Sequence, residues 1–209
     1  IGTPIAWSIA LSSLFSLIVN LPNISSFTTI AQRMATGLDS FSLLAIPFFI
    51  LSGQLMTHGG IAKRLISFAK TLVVNIPGGL ALINIVSAMM MGAITGSAMA
   101  SASAMGSTLG PEMEKEGYEK EFSAAVNITS ATMGLVIPPS NILIIYSLAS
   151  GGISIAALFL AGYLPGIIIG FFLMIVAAIW AKRKGYPVLK RSNFRKIISS
   201  FINALPSIL

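Results

Sequence analysis

The sequence has 209 residues, of which 55% are hydrophobic and 9% are charged. Soluble domains carry about 25% charged residues, so this composition excludes a water-soluble globular protein. The chain contains no cysteine, which excludes a disulfide framework and any chemistry that needs a thiol. Its net charge of +7 comes from basic residues beside apolar segments. Because there is no basic surface with interleaved aromatics, nucleic acid is not an expected partner.

Charged residues are absent from four blocks of sequence, residues 1–32, 40–57, 79–111 and 122–181. An α-helix needs about 20 apolar residues to cross a bilayer, so we expect the membrane spans to lie in these blocks. The sequence therefore predicts an all-α polytopic membrane protein. The chain begins at Ile1 and lacks the basic leader of a signal peptide, so we expect an internal segment of a longer protein.

The first part of the chain is predicted to contain two spans joined by an interfacial helix. The spans cover residues 4–21 and 41–56, and the more polar residues 24–38 are typical of a helix that lies at the membrane surface. His58 follows the second span beside two glycines and is interpreted as a polar cap at the interface. Residues 1–58 are therefore predicted to be a domain of scaffold spans with an interfacial arm helix.

A short amphipathic segment follows. Residues 61–74 place apolar side chains on one helical face and the basic residues Lys63, Arg64 and Lys70 on others. This pattern predicts a helix that lies on the membrane surface. Residues 59–78 are predicted to form a cytoplasmic amphipathic arm helix.

Residues 79–111 are apolar, but glycine, alanine and serine dominate their middle, from Gly96 to Gly106. This small-residue tip divides the segment into two pieces that are each near or below the length that crosses a bilayer. A re-entrant hairpin, which enters and leaves on one side, therefore fits better than a single span. The alternative role of the small residues is close helix packing, which needs no ligand.

A second break is predicted within residues 122–150. Two adjacent prolines, Pro138 and Pro139, remove two backbone donors and keep the preceding residue out of helical geometry. This span should therefore break at its centre. A further uninterrupted span is predicted for residues 155–181.

The basic residues predict the topology. Under the positive-inside rule, the clusters in residues 63–70, 115–120 and 182–196 lie in the cytoplasm. This assignment holds only if the hairpin segment returns to the side from which it entered. Residues 79–182 are then predicted to form a transport domain, and residues 183–209 a cytoplasmic connection and the start of the next scaffold segment.

Broken backbone inside lipid loses hydrogen bonds, so such breaks persist mainly where they line a cavity. Interrupted apolar segments are the best sequence pointer to the binding site of a secondary transporter. Half-helix amino ends favour anions, and unwound carbonyls suit a cation such as Na⁺. The candidate substrate-binding and ion-binding residues lie in or beside the two breaks: Gly96, Ser97, Ala98, Ser101, Ser103, Asn127, Thr129, Ser130, Pro138, Pro139, Ser140 and Asn141.

The predicted Na⁺ ligands are Ser97, Ser103, Ser140 and adjacent backbone carbonyls. For Asn127 and Ser130, an interhelical hydrogen bond is an equally good interpretation. The predicted spans contain no Asp, Glu, Lys or Arg, which argues against a proton relay and against a membrane metalloenzyme. We expect no catalytic residue and no resident cofactor. Two alternatives to a secondary transporter stay open, a passive channel and a structural membrane subunit.

Several motifs resemble the large membrane subunit of tripartite ATP-independent periplasmic (TRAP) transporters. Residues 38–51, LDSFSLLAIPFFIL, together with Gly53, resemble an early-span signature of that family. Residues 92–106 resemble its hairpin tip. The segments IPPS at 137–140 and FLAGYLPG at 159–166 complete the resemblance, which extends over essentially the whole chain.

The resemblance implies a Na⁺-driven importer of organic acids in the bacterial inner membrane. Residues 127–129 and 140–141 are closer to sialic-acid members than to C4-dicarboxylate members, so sialic acid is the favoured solute. The implied mechanism is an elevator motion of the hairpin-bearing transport domain against the scaffold. Implied partners are a periplasmic substrate-binding protein and a small four-helix membrane subunit, separate or fused to this chain. A second, inverted half is also implied, so the candidate residues would form half of the site.

Overall fold

A computed structural model describes residues 4–20, 23–39, 41–73, 76–188 and 198–202 of the chain. These residues form α-helices and one short 3-10 helix, Phe41–Leu44, and contain no β-strand. The all-helical architecture agrees with the predicted fold class. The helices are α1 (Ile5–Asn20), α2 (Asn23–Leu38), α3 (Ala45–His58), α4 (Ile61–Leu72), α5 (Gly79–Thr95), α6 (Ala98–Thr108), α7 (Gly110–Lys115), α8 (Lys120–Ala131), α9 (Met133–Val136), α10 (Asn141–Ala149) and α11 (Ile155–Lys184).

The chain packs as two compact units, Ile1–Leu44 and Ala45–Leu209. In the first unit α1 contacts α2, and the Ser26 hydroxyl of α2 donates a hydrogen bond to the Leu17 carbonyl of α1 at 3.1 Å. No side chain of α1 is buried, as expected of an apolar helix whose surroundings are lipid or other protein segments. The scaffold and transport domains predicted from the sequence stay predictions.

Helix α5 is the centre of the second unit. It contacts α3, α4, α6, α8, α9 and α11, and Ile83, Ile85 and Met91 on it are fully buried. A helix that is apolar all round is covered either by other protein elements or by lipid. In α5 the neighbouring helices cover it, so its uniformly apolar sequence fits this central position.

Helix α4 confirms the predicted helix over the amphipathic segment, and its apolar face packs on α5. Ile66 and Ala69 of this face are buried in the core. Beside this face, one turn after Ile66, Lys70 Nζ lies 2.5 Å from Glu112 Oε1 of α7. The side chains of His58 and Lys63 lie outside the described residues, so their predicted positions stay predictions.

The Lys70–Glu112 ion pair should contribute little to stability, because its side chains are 38% and 41% exposed and exposed pairs contribute about 0–1 kcal/mol. We expect Lys70→Ala to lower the free energy of unfolding by less than about 1 kcal/mol. Ile66→Ala on the same helix should lower it by about 2–5 kcal/mol, since it empties a buried site. Denaturation of the purified protein in detergent compares the two variants, and a larger effect of Lys70→Ala would contradict this assignment.

The predicted small-residue tip is wider than the break in the structure. Only Gly96 and Ser97 separate α5 from α6, and residues 98–108 are helical. Alanine has the highest helix propensity, and small side chains let two helices approach closely. Accordingly, α6 packs back against α5, so most of this stretch serves helix packing. The re-entrant path through a membrane stays a prediction.

Helix α11 is the one described helix that is both long and apolar enough to cross a membrane, with 30 residues and an 18-residue window of mean hydropathy 2.4. The segments Lys120–Val136 and Asn141–Ala149 pass the same test only as one span, bent by 50° at the break. Ile5–Asn20, Ala45–Leu55 and Gly79–Thr95 are shorter apolar helices. The predicted number of crossings therefore stays a prediction.

Glycines at every fourth position let α11 approach the second break. A Cβ placed on Gly162 would lie 2.5 Å from the Val136 carbonyl oxygen, and one on Gly166 would lie 2.6 Å from Ile137 Cγ1. Gly162 and Gly166 belong to the FLAGYLPG motif. This motif therefore brings α11 directly against the end of α9.

An aromatic cluster joins the start of α8 to the end of α11. The rings of Tyr118 and Tyr186 stack with centroids 4.4 Å apart, and Phe122 packs 5.4 Å from Tyr186. The Glu119 backbone N–H donates a hydrogen bond to the Tyr186 hydroxyl at 3.3 Å, and Lys184 Nζ lies 2.8 Å from Glu119 Oε1. Burial raises the pKa of the Tyr118 phenol to about 12, so this ring stays neutral at physiological pH.

Candidate functional site

The first break is a glycine turn followed by a serine cap. Gly96 adopts a left-handed conformation with φ 60° and ends α5. Ser97 is extended, and its Oγ accepts a hydrogen bond from the Ala100 N–H at 3.3 Å. Only glycine occupies the left-handed region without a steric penalty, and serine is among the best residues for starting a helix. The Gly-Ser pair therefore ends one helix and begins the next within two residues.

The second break separates α9 from α10. Ile137 is extended, and the peptide bond between Pro138 and Pro139 is cis. Ser140 begins α10, and its Oγ accepts a hydrogen bond from the Leu143 N–H at 3.4 Å. The same hydroxyl donates to the Leu135 carbonyl at 2.6 Å. The break thus lies at the position that the two prolines predict, and Ser140 plays the same capping role as Ser97.

The two breaks touch each other. A Cβ placed on Gly96 would collide with the Pro139 carbonyl oxygen and would lie 3.4 Å from the Asn141 backbone nitrogen. A Cβ placed on Gly134 would lie 3.1 Å from the Ser97 carbonyl oxygen. The amino ends of α6 and α10 are therefore close neighbours. The N–H groups at such ends lack intrahelical acceptors, which makes this region attractive to an anion.

A cavity of about 460 Å³ opens beside this contact. Three predicted residues line it, Ser97, Ser103 and Asn141. The Asn141 Oδ1 atom is buried and accepts no hydrogen bond from any described protein group. A buried amide oxygen without a donor is costly, so this atom is available to accept a hydrogen bond at the cavity. The cavity-lining residues, which are all uncharged, are Ile50, Gly53, Gln54, Thr95, Ser97, Ala100, Ser103, Ala104 and Asn141.

The sequence interpretation missed Gln54 and Thr95 of this cavity, and it gave Gly53 no role in the site. A Cβ on Gly53 would lie 3.2 Å from Thr95 Cα, so α3 approaches the end of α5 closely at this glycine. Gln54 had a usable signal, because it is an amide side chain within the uncharged block 40–57. Thr95 gave little signal in the sequence. In the structure its hydroxyl donates to the Met91 carbonyl at 2.9 Å, which is an ordinary arrangement for a threonine in a helix.

Three predicted residues instead join helices to one another. The buried Ser101 hydroxyl donates to the Ala88 carbonyl at 3.2 Å, and Asn127 Nδ2 donates to the Ala102 carbonyl at 2.9 Å. Ser130 Oγ lies 3.3 Å from Asn84 Oδ1. For Asn127 and Ser130 this is the interhelical alternative considered from the sequence. These bonds hold α5, α6 and α8 together and thereby position the first break.

The other predicted residues occupy different places. Gly96, Pro138 and Pro139 form the breaks themselves, and Ala98 is the first residue of α6. Thr129 is exposed on α8, bonds to the Ala125 carbonyl at 2.7 Å and lies in a separate groove. Of the predicted residues, the structure therefore brings Ser97, Ser103 and Asn141 together at one cavity beside the contact between the breaks, and the binding roles stay predictions.

Comparison with known proteins gives a match over residues 1–209 to the family described as tripartite ATP-independent periplasmic transporter, DctM component. The chain is 55% identical over its full length to the uncharacterized protein YgiK of Salmonella typhimurium, covering 48% of that protein. It is 35% identical over 97% of its length to the C4-dicarboxylate TRAP transporter large permease protein DctM of Rhodobacter capsulatus, covering 49% of it. It is 36% identical over its full length to the sialic acid TRAP transporter large permease protein SiaM of Vibrio cholerae, covering 48% of it. The chain thus spans about half the length of these curated relatives.

Proposed function

Because the chain belongs to the DctM component family of tripartite ATP-independent periplasmic transporters, we propose that it forms half of the solute and ion site of a Na⁺-coupled importer of an organic acid. The contact between the two uncharged helix breaks carries this proposal. Broken helices that meet beside a cavity are the arrangement in which secondary transporters bind substrates and coupling ions. The protein is proposed to be a transporter subunit rather than an enzyme.

The amino ends of α6 and α10 would bind the acid group of the solute. Each helix concentrates partial positive charge at its first turn, and the two first turns lie next to each other at Ser97 and Ser140. No cationic side chain is among the described residues that line the cavity. The helix ends therefore supply the attraction for a carboxylate, and Asn141 Oδ1 would accept a hydrogen bond from a solute hydroxyl or amide.

Neutral oxygens at the same place would bind Na⁺. The carbonyl groups of Ser97 and Pro139 lie at the contact between the breaks, and Ser103 lines the cavity. Ser140 Oγ donates its proton to Leu135, so its lone pairs are available to the Leu143 N–H and to an ion. Because none of these ligands is ionisable, the proposal favours Na⁺ over a proton as the coupling ion.

We propose that the complete protein works with a periplasmic substrate-binding protein and a small four-helix membrane subunit in the bacterial inner membrane, and that a transport domain moves as an elevator against a scaffold. Sialic acid is our first candidate solute and C4-dicarboxylates are the second. Since the identities to the relatives named for these solutes are 36% and 35%, overall similarity does not separate them. Both solutes therefore belong in the same assay.

The coupling test measures uptake of labelled sialic acid or succinate into proteoliposomes that hold the full-length protein, its small subunit and the binding protein. We expect accumulation that requires an inward Na⁺ gradient. Uptake that follows a pH gradient without Na⁺ would refute the Na⁺ proposal. Equilibration without accumulation, independent of the binding protein, would indicate the passive channel instead.

The Asn141 prediction separates function from stability. We expect Asn141→Leu to lower uptake about tenfold, because leaving the hydroxyl or amide donor of the solute without its acceptor costs about 1–3 kcal/mol. Its melting temperature should stay the same or rise, because the lost oxygen has no described protein donor. Asn127→Leu is the matched control, and it should lower the melting temperature since Asn127 bonds to α6. Unchanged uptake by Asn141→Leu at equal protein level would contradict the assignment.

A further inference from the structure

A second cavity lies on another side of the fold. It has a volume of about 410 Å³ and is a groove between the beginning of α8 and the end of α11, with Ile85 of α5 at its base. Its walls are mainly apolar, including Phe122, Val126 and Val176. None of its lining residues lines the cavity at the helix breaks, so it is a separate site.

The length of the groove matches one leaflet of a bilayer. Its lining follows α8 from Glu119 to Thr129, which is about 15 Å at the helical rise of 1.5 Å per residue. The hydrocarbon core of a bilayer is about 30 Å thick, so about 15 Å is the depth of one leaflet. An acyl chain that enters at Glu119 would therefore lie along the groove within its own leaflet.

Charged and amphipathic side chains are concentrated at one end of the groove. Glu119 and Glu121 line this end, and Lys184 Nζ lies 2.8 Å from Glu119 Oε1 and 5.8 Å from the centre of the Trp180 ring. Tryptophan is enriched at the level of lipid headgroups. The exposed residues Lys182 and Arg183 directly precede Lys184. This end therefore has the composition of a membrane interface.

We propose that the groove binds one phospholipid with a primary amine headgroup. Its acyl chain would lie against Phe122, Val126 and Val176. Its phosphate would pair with Arg183 and Lys184, which follow Trp180 by three and four residues and therefore continue the groove side of α11. Basic clusters between transmembrane helices bind lipid phosphates in this way. The proposal rests on the membrane location of the family and is independent of the solute and of Na⁺ coupling.

The amine specificity follows from the acidic residues at the mouth. Lys184 already pairs with Glu119, whereas Glu121 is exposed and forms no ion pair among the described residues. A carboxylate beside a phosphate site repels a purely anionic headgroup. It attracts an ammonium that can donate hydrogen bonds. Phosphatidylethanolamine has both a phosphate for the basic residues and an ammonium for the Glu121 carboxylate. Phosphatidylglycerol lacks the cation, and phosphatidylcholine lacks the N–H donors.

Two tryptophan substitutions on neighbouring alanines test the groove. Ala125 lines the groove and Ala124 does not, and both are exposed on α8. The full-length protein is delipidated in detergent and its melting temperature is measured with and without mixed micelles that contain phosphatidylethanolamine. We expect a rise in melting temperature for the parent protein and for Ala124→Trp, and loss of that rise for Ala125→Trp. Equal responses of the two variants would overturn the proposal.

Charge variants test the headgroup, and they keep the test decisive if Ala125→Trp does not fold. Glu121→Gln should remove the preference for phosphatidylethanolamine over phosphatidylglycerol and phosphatidylcholine in the same assay. Arg183→Gln should weaken the effect of every phospholipid, whereas Lys182→Gln, on the face of α11 away from the groove, should not. Native mass spectrometry counts the lipids retained by each variant. If another part of the full-length protein fills the groove, no variant will change the retained lipid, and the proposal is wrong whatever the outcome of the uptake assays.

Discussion

Replacing Gly96 by alanine should abolish uptake, because this residue is where the two helix breaks touch. Gly96 has φ 60°, and the left-handed region costs a residue with a Cβ about 1–2 kcal/mol. The added Cβ would also collide with the Pro139 carbonyl oxygen. That oxygen is a backbone atom of the second proline, just before the start of α10. It therefore cannot rotate away as the end of a flexible side chain would. The contact between the breaks must therefore open.

Gly117→Ala is the matched control for this prediction. Gly117 also has a left-handed conformation, with φ 84°, but a Cβ there would meet no atom within 4 Å. Both variants therefore carry the same kind of backbone strain, and only Gly96→Ala separates the breaks. We expect the transport rate of Gly117→Ala to be no more than about two to five times lower than that of the parent. The reason is that a loss of about 1 kcal/mol in the free energy of unfolding leaves most molecules folded.

The measurement is Na⁺-driven uptake in proteoliposomes, normalised to the amount of folded protein. We expect at least a hundredfold lower rate for Gly96→Ala, which corresponds to roughly 2.7 kcal/mol. If both glycine variants lost uptake equally, backbone strain alone would explain the result. The contact between the breaks would then have no special role in the site.

Replacing Gly92 by alanine should destabilise the second unit. Gly92 is an ordinary helical residue of α5, and a Cβ on it would lie 2.5 Å from Gly134 Cα and 2.8 Å from the Gly134 nitrogen. Both neighbours are backbone atoms of α9, so relief requires α5 and α9 to move apart. Overpacking of this kind costs about 1–3 kcal/mol or more. We expect a loss of stability in that range despite the better helix propensity of alanine.

Gly37→Ala provides the comparison for Gly92→Ala. Gly37 is also helical, in α2, and a Cβ there would meet no atom within 4 Å. This variant should leave the free energy of unfolding unchanged or raise it by up to about 1 kcal/mol. Denaturant titration of the purified protein in detergent compares the two. An unchanged midpoint for Gly92→Ala would show that the approach of α5 to α9 is looser than the structure indicates.

The Gly92→Ala substitution should also lower uptake, because Gly92 lies close to the candidate site. Gly92 lies one helical turn before Gly96, and the Gly96 N–H donates a hydrogen bond to the Gly92 carbonyl at 2.8 Å. Separation of α5 from α9 at Gly92 therefore displaces the first break relative to the second. We expect the residual uptake of Gly92→Ala, measured per folded molecule, to fall below that of Gly37→Ala. Equal uptake per folded molecule would confine the role of Gly92 to stability.

Much of the fold followed from local signals in the sequence. The breaks at Gly96-Ser97 and at Pro138-Pro139 depend on the backbone preferences of glycine and proline, which hold in any surroundings. The amphipathic helix α4 followed from its period of apolar residues. The neutral character of the cavity followed as well, because residues 40–57, 79–111 and 122–181 contain no charged side chain.

The length of the break was a local feature that the sequence interpretation nevertheless misjudged. Residues 98–106 were predicted to belong to a small-residue tip, yet they are helical. Serine and alanine at this density are compatible with both a turn and a tightly packed helix. The choice between a turn and a helix depended on packing against α5. The Ala88 carbonyl of α5 accepts a hydrogen bond from the Ser101 hydroxyl.

By itself the sequence determined that this protein is helical, that two of its apolar segments break and that their polar groups are uncharged. The tertiary structure alone decided which polar side chains meet at the cavity. Ser103 and Asn141 line it, whereas Ser101 and Asn127 bond to neighbouring helices, and Gln54 enters from α3. The physical reason is that α5 and α6 are small or apolar on every face. Their sequences therefore contain no amphipathic pattern that sets their rotation, and packing against α8, α9 and α11 sets it instead.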